Sequence, residues 1–495
     1  MVQDLWHWII LSGALLGGLV LRSSLLIRFE WVGKDTFYHL LISRQIRNRG
    51  GMPRLVDRFV EPEHYDYPPL LHVALSKIPE RWHRKAQFLG PLADLGAAII
   101  VYLFCLDVAG PDAALIAVAL YSFTPFAVDL SFYLGPRSVA NLLLVVCMVS
   151  SYYTIGMLSL LPLVVSLGAA SLVLLTQRLA VQSLVASLAA VAIASGDPAP
   201  LLILAAAFPV AVLISRGFYV TVLKGHIDFV RVMGSRLLDR ETRKEQASPV
   251  LDIKLIAFNL PSLAFLALLL LDPIPSTPVL TFALAWAIGL LVMSALWVFG
   301  EGYRHMANAS TPLAIIGGLW GAATGEAVVV LLVVLVSMAV SSFKAYRLSH
   351  RRDFGLVLAP EVLQAFQHAK DNGRADDVIL IIPTDLSYHA AYFTGMITAH
   401  SSGGFARGLA FNCGVNRKVR EGRVNEVVAE LGVRWVLSLD RPLDLADATE
   451  VRFGPTTRLY KLAGTTGSGK SVVASPALDD PVERGGQQCR DYPVG

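Results

Sequence analysis

The polar stretch 28–87 contains WVGKDTFYHLLISRQIRNRGGMPRLVDRFVEPEHYDYPPLLHVALS, the densest group of ionisable and aromatic residues in the chain. Asp35 and His39 stand four residues apart, so on a helix they share one face. A carboxylate there can take a proton from a hydroxyl, and an imidazole beside it can orient the carboxylate, share the proton or bind a metal. The competing role is structural: Asp35 precedes TFYHLLISRQIRNRG, a helical pattern with a Gly stop, and can cap it. Glu61, Glu63, His64 and Asp66 form a second acidic cluster before YPPLLHVAL, where the prolines stop a straight helix. Such a cluster is either a solvated face or a substrate-binding wall.

Four further places carry candidate chemistry. Arg137 stands in FYLGPRSVAN, and Glu301, Arg304 and His305 stand together in EGYRHMANAS. A guanidinium at a membrane interface suits a lipid-linked phosphate, with two donors and a permanent charge; the bland alternative is a snorkelling flank residue. Asp94 lies inside an apolar run, where a carboxylate is costly and serves either function or a helix–helix hydrogen bond. Finally, GTTGSGKS at 464–471 fits the phosphate-binding pattern G-x-x-x-x-G-K-[ST]. RLYKL upstream supplies a strand, but VVASPALDDPVERGGQQCRDYPVG downstream is too rich in Pro, Gly and charge to build the helix and strands of a nucleotide site. The expectation is a Gly/Ser/Thr tail over 464–495 that binds no nucleotide.

The elements that must position these residues are membrane helices. Of 495 residues 54% are hydrophobic and only 16% charged, against about 25% charged in soluble domains. Apolar runs able to cross about 30 Å of hydrocarbon fall at 5–27, 88–108, 112–131, 138–155, 157–177, 180–196, 198–217, 254–271, 279–299, 308–324 and 326–343. The first lacks a basic n-region and a cleavage site, and reads as a retained anchor. A net charge of +4 gives no reason to expect nucleic acid. Four scattered cysteines show no disulfide or metal-ligand spacing. From 344 the composition changes: DDVILIIP and VRWVLSLD have strand length, and VNEVVAELG between them has helical spacing with a Gly stop. The expected architecture is a polytopic α-helical membrane domain over 1–343 with about eleven crossings, its first outer loop at 28–87, then a small soluble α/β domain over 344–463. With a cytoplasmic N-terminus, eleven crossings put that loop, EGYRHMANAS and the α/β domain on the outer side. The basic segment 218–253, with Lys224, Arg231, Arg236, Arg240, Arg243 and Lys244, also falls outside, against the positive-inside rule. Its LKGHIDFVRVMGSRLL has the pattern of an amphipathic helix on the membrane surface.

The order of first span, then GKDTFYHLLISRQIRNRGGMP, then YDYPPLLHVAL resembles the opening of the GT-C class of membrane glycosyltransferases. That class includes oligosaccharyltransferase catalytic subunits and protein O-mannosyltransferases. FTPFAVDLSFYLGPRSVANLLLVV, GAASLVLLTQRLAV and EGYRHMANASTPLAIIGG are similar in their order to later parts of the same class. The resemblance implies transfer of a sugar from a polyprenyl-phosphate carrier to a protein or glycan acceptor, with inversion. It implies an active site and α/β domain on the extracytoplasmic side of the cell membrane. In that scheme Asp35 is the essential acid after the first span and Arg304 the contact of the carrier phosphate. His39, the cluster Glu61, Glu63, His64 and Asp66, and also Arg137, Glu301 and His305 then serve catalysis or substrate binding, with membrane lipid around them. Two departures stand out. No WWDYG motif is present, and the second outer turn has Arg137 where oligosaccharyltransferases have metal-binding acids, which puts metal-dependent oligosaccharide transfer in doubt. A divalent cation, Mg or Mn, stays possible, with no cofactor certain. The alternatives are an oligosaccharyltransferase-like enzyme with altered metal ligands, a lipid or solute transporter, and a noncatalytic glycolipid-binding subunit. Because an activated sugar phosphate already carries the energy for transfer, Lys470→Ala should leave transferase activity in membranes unchanged.

Overall fold

The computed structural model describes residues 2–156, 159–238, 253–295, 303–350, 357–402, 406–439 and 441–463. The tail with GTTGSGKS lies outside them. A helix occupies each of the eleven apolar runs, from Val2–Arg28 to Ala327–His350. The run 112–131 is divided at Thr124 into Pro111–Phe123 and Pro125–Ser131, because Pro125 has no N–H to continue the first helix. Among the described residues five helices are long and apolar enough to cross a membrane: Leu5–Arg28, Leu89–Ala109, Arg178–Ser195, Pro278–Ala295 and Ala327–His350. Four shorter apolar helices accompany them, and the chain is an integral membrane protein.

One buried ion pair and its hydrogen bonds tie four of these helices together, Val2–Arg28, Leu89–Ala109, Pro111–Phe123 and Pro136–Tyr152. Arg22 and Asp94 are each 3% exposed, with Arg22 Nε 3.6 Å from Asp94 Oδ2. Ser138 Oγ donates to the same carboxylate at 3.2 Å, and the guanidinium donates to the carbonyls of Tyr121, at 3.1 Å, and Ser122. Of the two roles open to Asp94, this geometry is the structural one.

The C-terminal part forms a six-stranded sheet in the order β1-β3-β2-β4-β6-β5. Its strands are β1 (Phe59–Glu61), β2 (Val378–Ile382), β3 (Ile397–Ser401), β4 (Val433–Leu439), β5 (Ala448–Arg452) and β6 (Thr457–Leu462). β1, β3, β2 and β4 run parallel, whereas β6 and β5 add as antiparallel strands. The apolar run VILII is explained by burial on both faces. Ile379 and Ile381 pack under Val362, Phe366 and Ala390, while Leu380 and Ile382 pack with Val415, Val419 and Val427 on the other side. β1 comes from the first loop, more than three hundred residues from its partner. Phe59 pairs with Thr398 and Glu61 with Ser401, so the loop and the C-terminal sheet form one layer above the helices.

Removing the Asp94 carboxylate leaves a charged guanidinium buried without its counter-ion, which typically costs roughly 3–5 kcal/mol. Asp94→Ala should therefore lower the thermal unfolding temperature of the purified protein clearly. An unchanged transition would show that the pair contributes nothing to stability.

Candidate active site

The helix Lys34–Arg49 starts at Gly33 and stops at Gly50, which adopts the left-handed conformation. Gly33 has φ +85°, and a Cβ there would collide with Tyr133, so only glycine lets the helix begin against that ring. The N-cap is Gly33 and no side chain caps the helix. Asp35 is therefore not the cap. It lies in the first turn, where the helix dipole favours a negative charge. Residues beyond it are buried on several sides. Phe37 and Leu40 pack with Leu71, Leu134 and Tyr392; Leu41, Ile42 and Ile46 pack with Val56, Phe59 and Tyr65. The helix is clamped between the bundle and the C-terminal sheet.

Above it opens a cavity of about 230 Å³ that brings Asp35, His39, Glu63, His64, Asp66 and Arg137 together. Two of the expected residues stand elsewhere. Glu61 lies on β1, paired with Ser401, and does not line the cavity. His305 is 1% exposed in the bundle, where its Nδ1 is 2.9 Å from Ser183 Oγ; it serves helix packing. Glu301 and the side chain of Arg304 lie outside the described residues, although the helix Tyr303–Thr324 begins beside Ser183 through Asn308, whose amide donates to that hydroxyl at 2.8 Å.

The cavity also holds residues that no local signal singles out. Arg178, at the start of the helix Arg178–Ser195, donates to the Asp66 carboxylate and, at 3.0 Å, to the Asp66 carbonyl. It reads in the sequence as one cation between two apolar runs. Tyr388 and Ser402 arrive from the C-terminal part. Tyr388 donates to the Ser402 carbonyl at 3.0 Å, and the Glu63 amide donates to Ser402 Oγ at 2.8 Å, so the α/β layer forms a wall of the site.

Charge is arranged in two facing pairs. Arg137 lies 4.0 Å from Asp35, and Arg178 contacts Asp66. The guanidiniums are 13% and 8% exposed, the carboxylates 46% and 37%, so the cations are fixed in the wall and the acids face the open space. Each arginine opens a helix, Pro136–Tyr152 or Arg178–Ser195, whose N-terminus has no side-chain cap. The positive dipole end thus adds to each guanidinium. Burial lowers the His39 imidazole to about 4 against the opposing pull of Asp35, which keeps it neutral at physiological pH. Burial also raises the Tyr38 and Tyr388 hydroxyls, which stay protonated. Among the described residues no three His, Cys, Asp or Glu side chains form a metal-binding group. Asp35 and Asp66 each face a guanidinium.

A second helix closes the site. Phe218–Leu238 starts with Phe218 stacked on Tyr65, ring centroids 5.6 Å apart. Its Gly225 lies so close to Asp66 that a Cβ would collide with that carboxylate, while Val220, Leu223 and Ile227 are exposed on the far side. This is the amphipathic helix expected in the basic segment.

A bundle with this loop, this α/β layer and a cavity between them is the architecture of the GT-C glycosyltransferases, and the structural neighbours of the chain belong to that class. ArnT from Cupriavidus metallidurans bound to undecaprenyl phosphate superposes with a TM-score of 0.60 at 12% identity, over 95% of this chain and 99% of that one. The Archaeoglobus fulgidus oligosaccharyltransferase tethered to an acceptor peptide gives 0.58 at 14% identity, over 88% and 69%. The mycobacterial arabinofuranosyltransferase AftD gives 0.55 at 13%, over 93% of this chain and 42% of its own. No protein-family model and no curated protein matches the sequence. The chain therefore shares the GT-C fold.

Gly225→Ala should displace Asp66 from Arg178 and impair whatever this cavity does without unfolding the bundle. Ligand binding or turnover, read beside the melting temperature, checks it; wild-type behaviour would show that the close approach is unimportant.

Proposed function

We propose that this protein is a membrane glycosyltransferase that moves a sugar from a polyprenyl-phosphate carrier to an acceptor hydroxyl, on protein or glycan, at the extracytoplasmic face. The observation that carries this reading is a cavity lined by a partly open carboxylate, Asp35, and by two guanidiniums, Arg137 and Arg178, that stand at helix N-termini. Asp35 takes the proton of the acceptor hydroxyl, and the acceptor oxygen attacks the anomeric carbon. The bond from that carbon to the phosphate oxygen breaks, and its electron pair leaves with the phosphate. Arg137 and Arg178 stabilise the charge that develops there, and Arg304 is a third cation for the same group. In-line displacement inverts the anomeric centre.

Orientation follows from a shared layer. β1 joins the first loop to the C-terminal sheet, so the two lie on one side, and an even number of crossings must separate them. Ten of the eleven apolar runs stand between, which supports an odd total such as eleven; the cytoplasmic N-terminus is part of the proposal.

Incubation of the purified protein with a panel of polyprenyl-phosphate sugars tests the reaction. Asp35→Asn should lower turnover by about 10²–10⁴-fold with an unchanged melting temperature. Arg178→Gln should weaken it by about 10²–10³-fold. Full transfer by Asp35→Asn would remove Asp35 from the role of base.

A further inference from the structure

Behind the cavity, three buried side chains form a chain of hydrogen bonds. His39 Nδ1 is 2.8 Å from His72 Nε2, and His72 Nδ1 is 2.6 Å from the Tyr65 hydroxyl. Exposure is 4% for His39, 0% for His72 and 2% for Tyr65. Only His39 reaches the cavity. The direction of these bonds is set at the Tyr65 end. A phenol this deeply buried keeps its proton, and that proton needs an acceptor. Among the described residues its hydrogen-bond partner is His72 Nδ1. Nδ1 of His72 is then the acceptor, so the ring proton of the neutral imidazole sits on Nε2 and is donated to His39 Nδ1. His39 in turn carries its proton on Nε2, the nitrogen not engaged by His72, on a residue that lines the cavity. The reverse order would leave the Tyr65 proton without an acceptor in a site closed to water.

We infer that Tyr65 and His72 are positioning residues that hold His39 in its Nε2–H tautomer, so that His39 serves the reaction as a hydrogen-bond donor to a substrate oxygen and not as a base. This rests on the proposed transferase reading. His39 thereby cannot compete with Asp35, four residues before it, for the acceptor proton. It supplies instead a neutral donor that keeps an oxygen of the bound substrate oriented toward the carboxylate.

Two measurements on the full-length protein separate this inference from the reaction itself. With ¹⁵N-labelled histidine, the ring of His39 should show a protonated Nε2 and a bare Nδ1, and Tyr65→Phe should give a mixture of tautomers. In the transferase assay Tyr65→Phe should lower kcat about ten-fold and leave the donor KM within about two-fold, the loss of one orienting hydrogen bond. His72→Leu breaks the chain and should lower kcat roughly ten- to a hundred-fold. His72→Gln offers an amide N–H toward His39 and a carbonyl toward Tyr65, so it should recover most of that loss. A protonated Nδ1 on His39 in the wild type, or equal kcat for folded His72→Leu and His72→Gln, overturns the inference. A protein with the Nε2–H tautomer that transfers no sugar from any donor overturns the reaction, and with it the role of His39, while the tautomer assignment stands.

Discussion

Arg137 and Arg178 are cations placed where electrostatics makes them costly. Each opens a helix, where the dipole already presents positive charge, and each is buried in the wall of the cavity. One carboxylate apiece compensates part of this, but Asp35 and Asp66 are 46% and 37% exposed, so the positive charge of the wall is only partly neutralised. A surplus of positive charge of this kind at helix starts favours a further anion. The surrounding structure serves to hold that surplus in place. The first loop brings both acids, Gly33 and Gly225 permit the close approaches of Tyr133 and Asp66, and the α/β layer closes the remaining side through Tyr388 and Ser402.

That layer depends on a strand of three residues. β1 is too short to stand as a sheet element by itself, yet it supplies a parallel partner to β3 and covers an edge that would otherwise be open. Its pairing also couples two parts of the chain that the membrane domain separates. Helix Lys34–Arg49, which carries Asp35 and His39, is held between them with Phe37 against Tyr392 and His389. The reactive face of this helix is therefore oriented by the bundle below and the sheet above, which is how a site formed partly by a loop acquires a rigid geometry.

What could be read from the sequence follows the range of the interactions involved. The Asp35 and His39 pairing depends on helical period alone, and the apolar runs depend on local composition, so both are visible in short windows. So is the helix over 218–238 with its two faces. Arg178 is different: its meaning comes from Asp66, more than a hundred residues earlier, and in isolation it resembles any cation flanking a span. Tyr388, Ser402 and the strand character of Phe59–Glu61 depend on pairings across the whole chain. Proximity in sequence also misleads in the other direction. Glu61 belongs by spacing to the acidic cluster, but backbone pairing with Ser401 takes it out of the cavity. His305 adjoins Arg304, yet its ring is used by Ser183 inside the bundle.

The basic segment shows the same limit in electrostatic terms. Counting lysines and arginines assigns loops to the cytoplasm because cations resist translocation, and by that count 218–253 opposes the proposed orientation. Contact ties the segment to the site: Phe218 stacks on Tyr65 and Gly225 adjoins Asp66, so this helix lies on the side of the site whatever its charge. Its apolar residues Val220, Leu223 and Ile227 are exposed, as in a helix resting on lipid, with Lys224 beside them. Cations at the mouth of a cavity attract anionic ligands from the membrane surface. On the proposed reading, in which the site takes a lipid-linked phosphate, such a site needs positive charge on its own side of the bilayer, and there a charge rule based on insertion competes with the demands of the ligand.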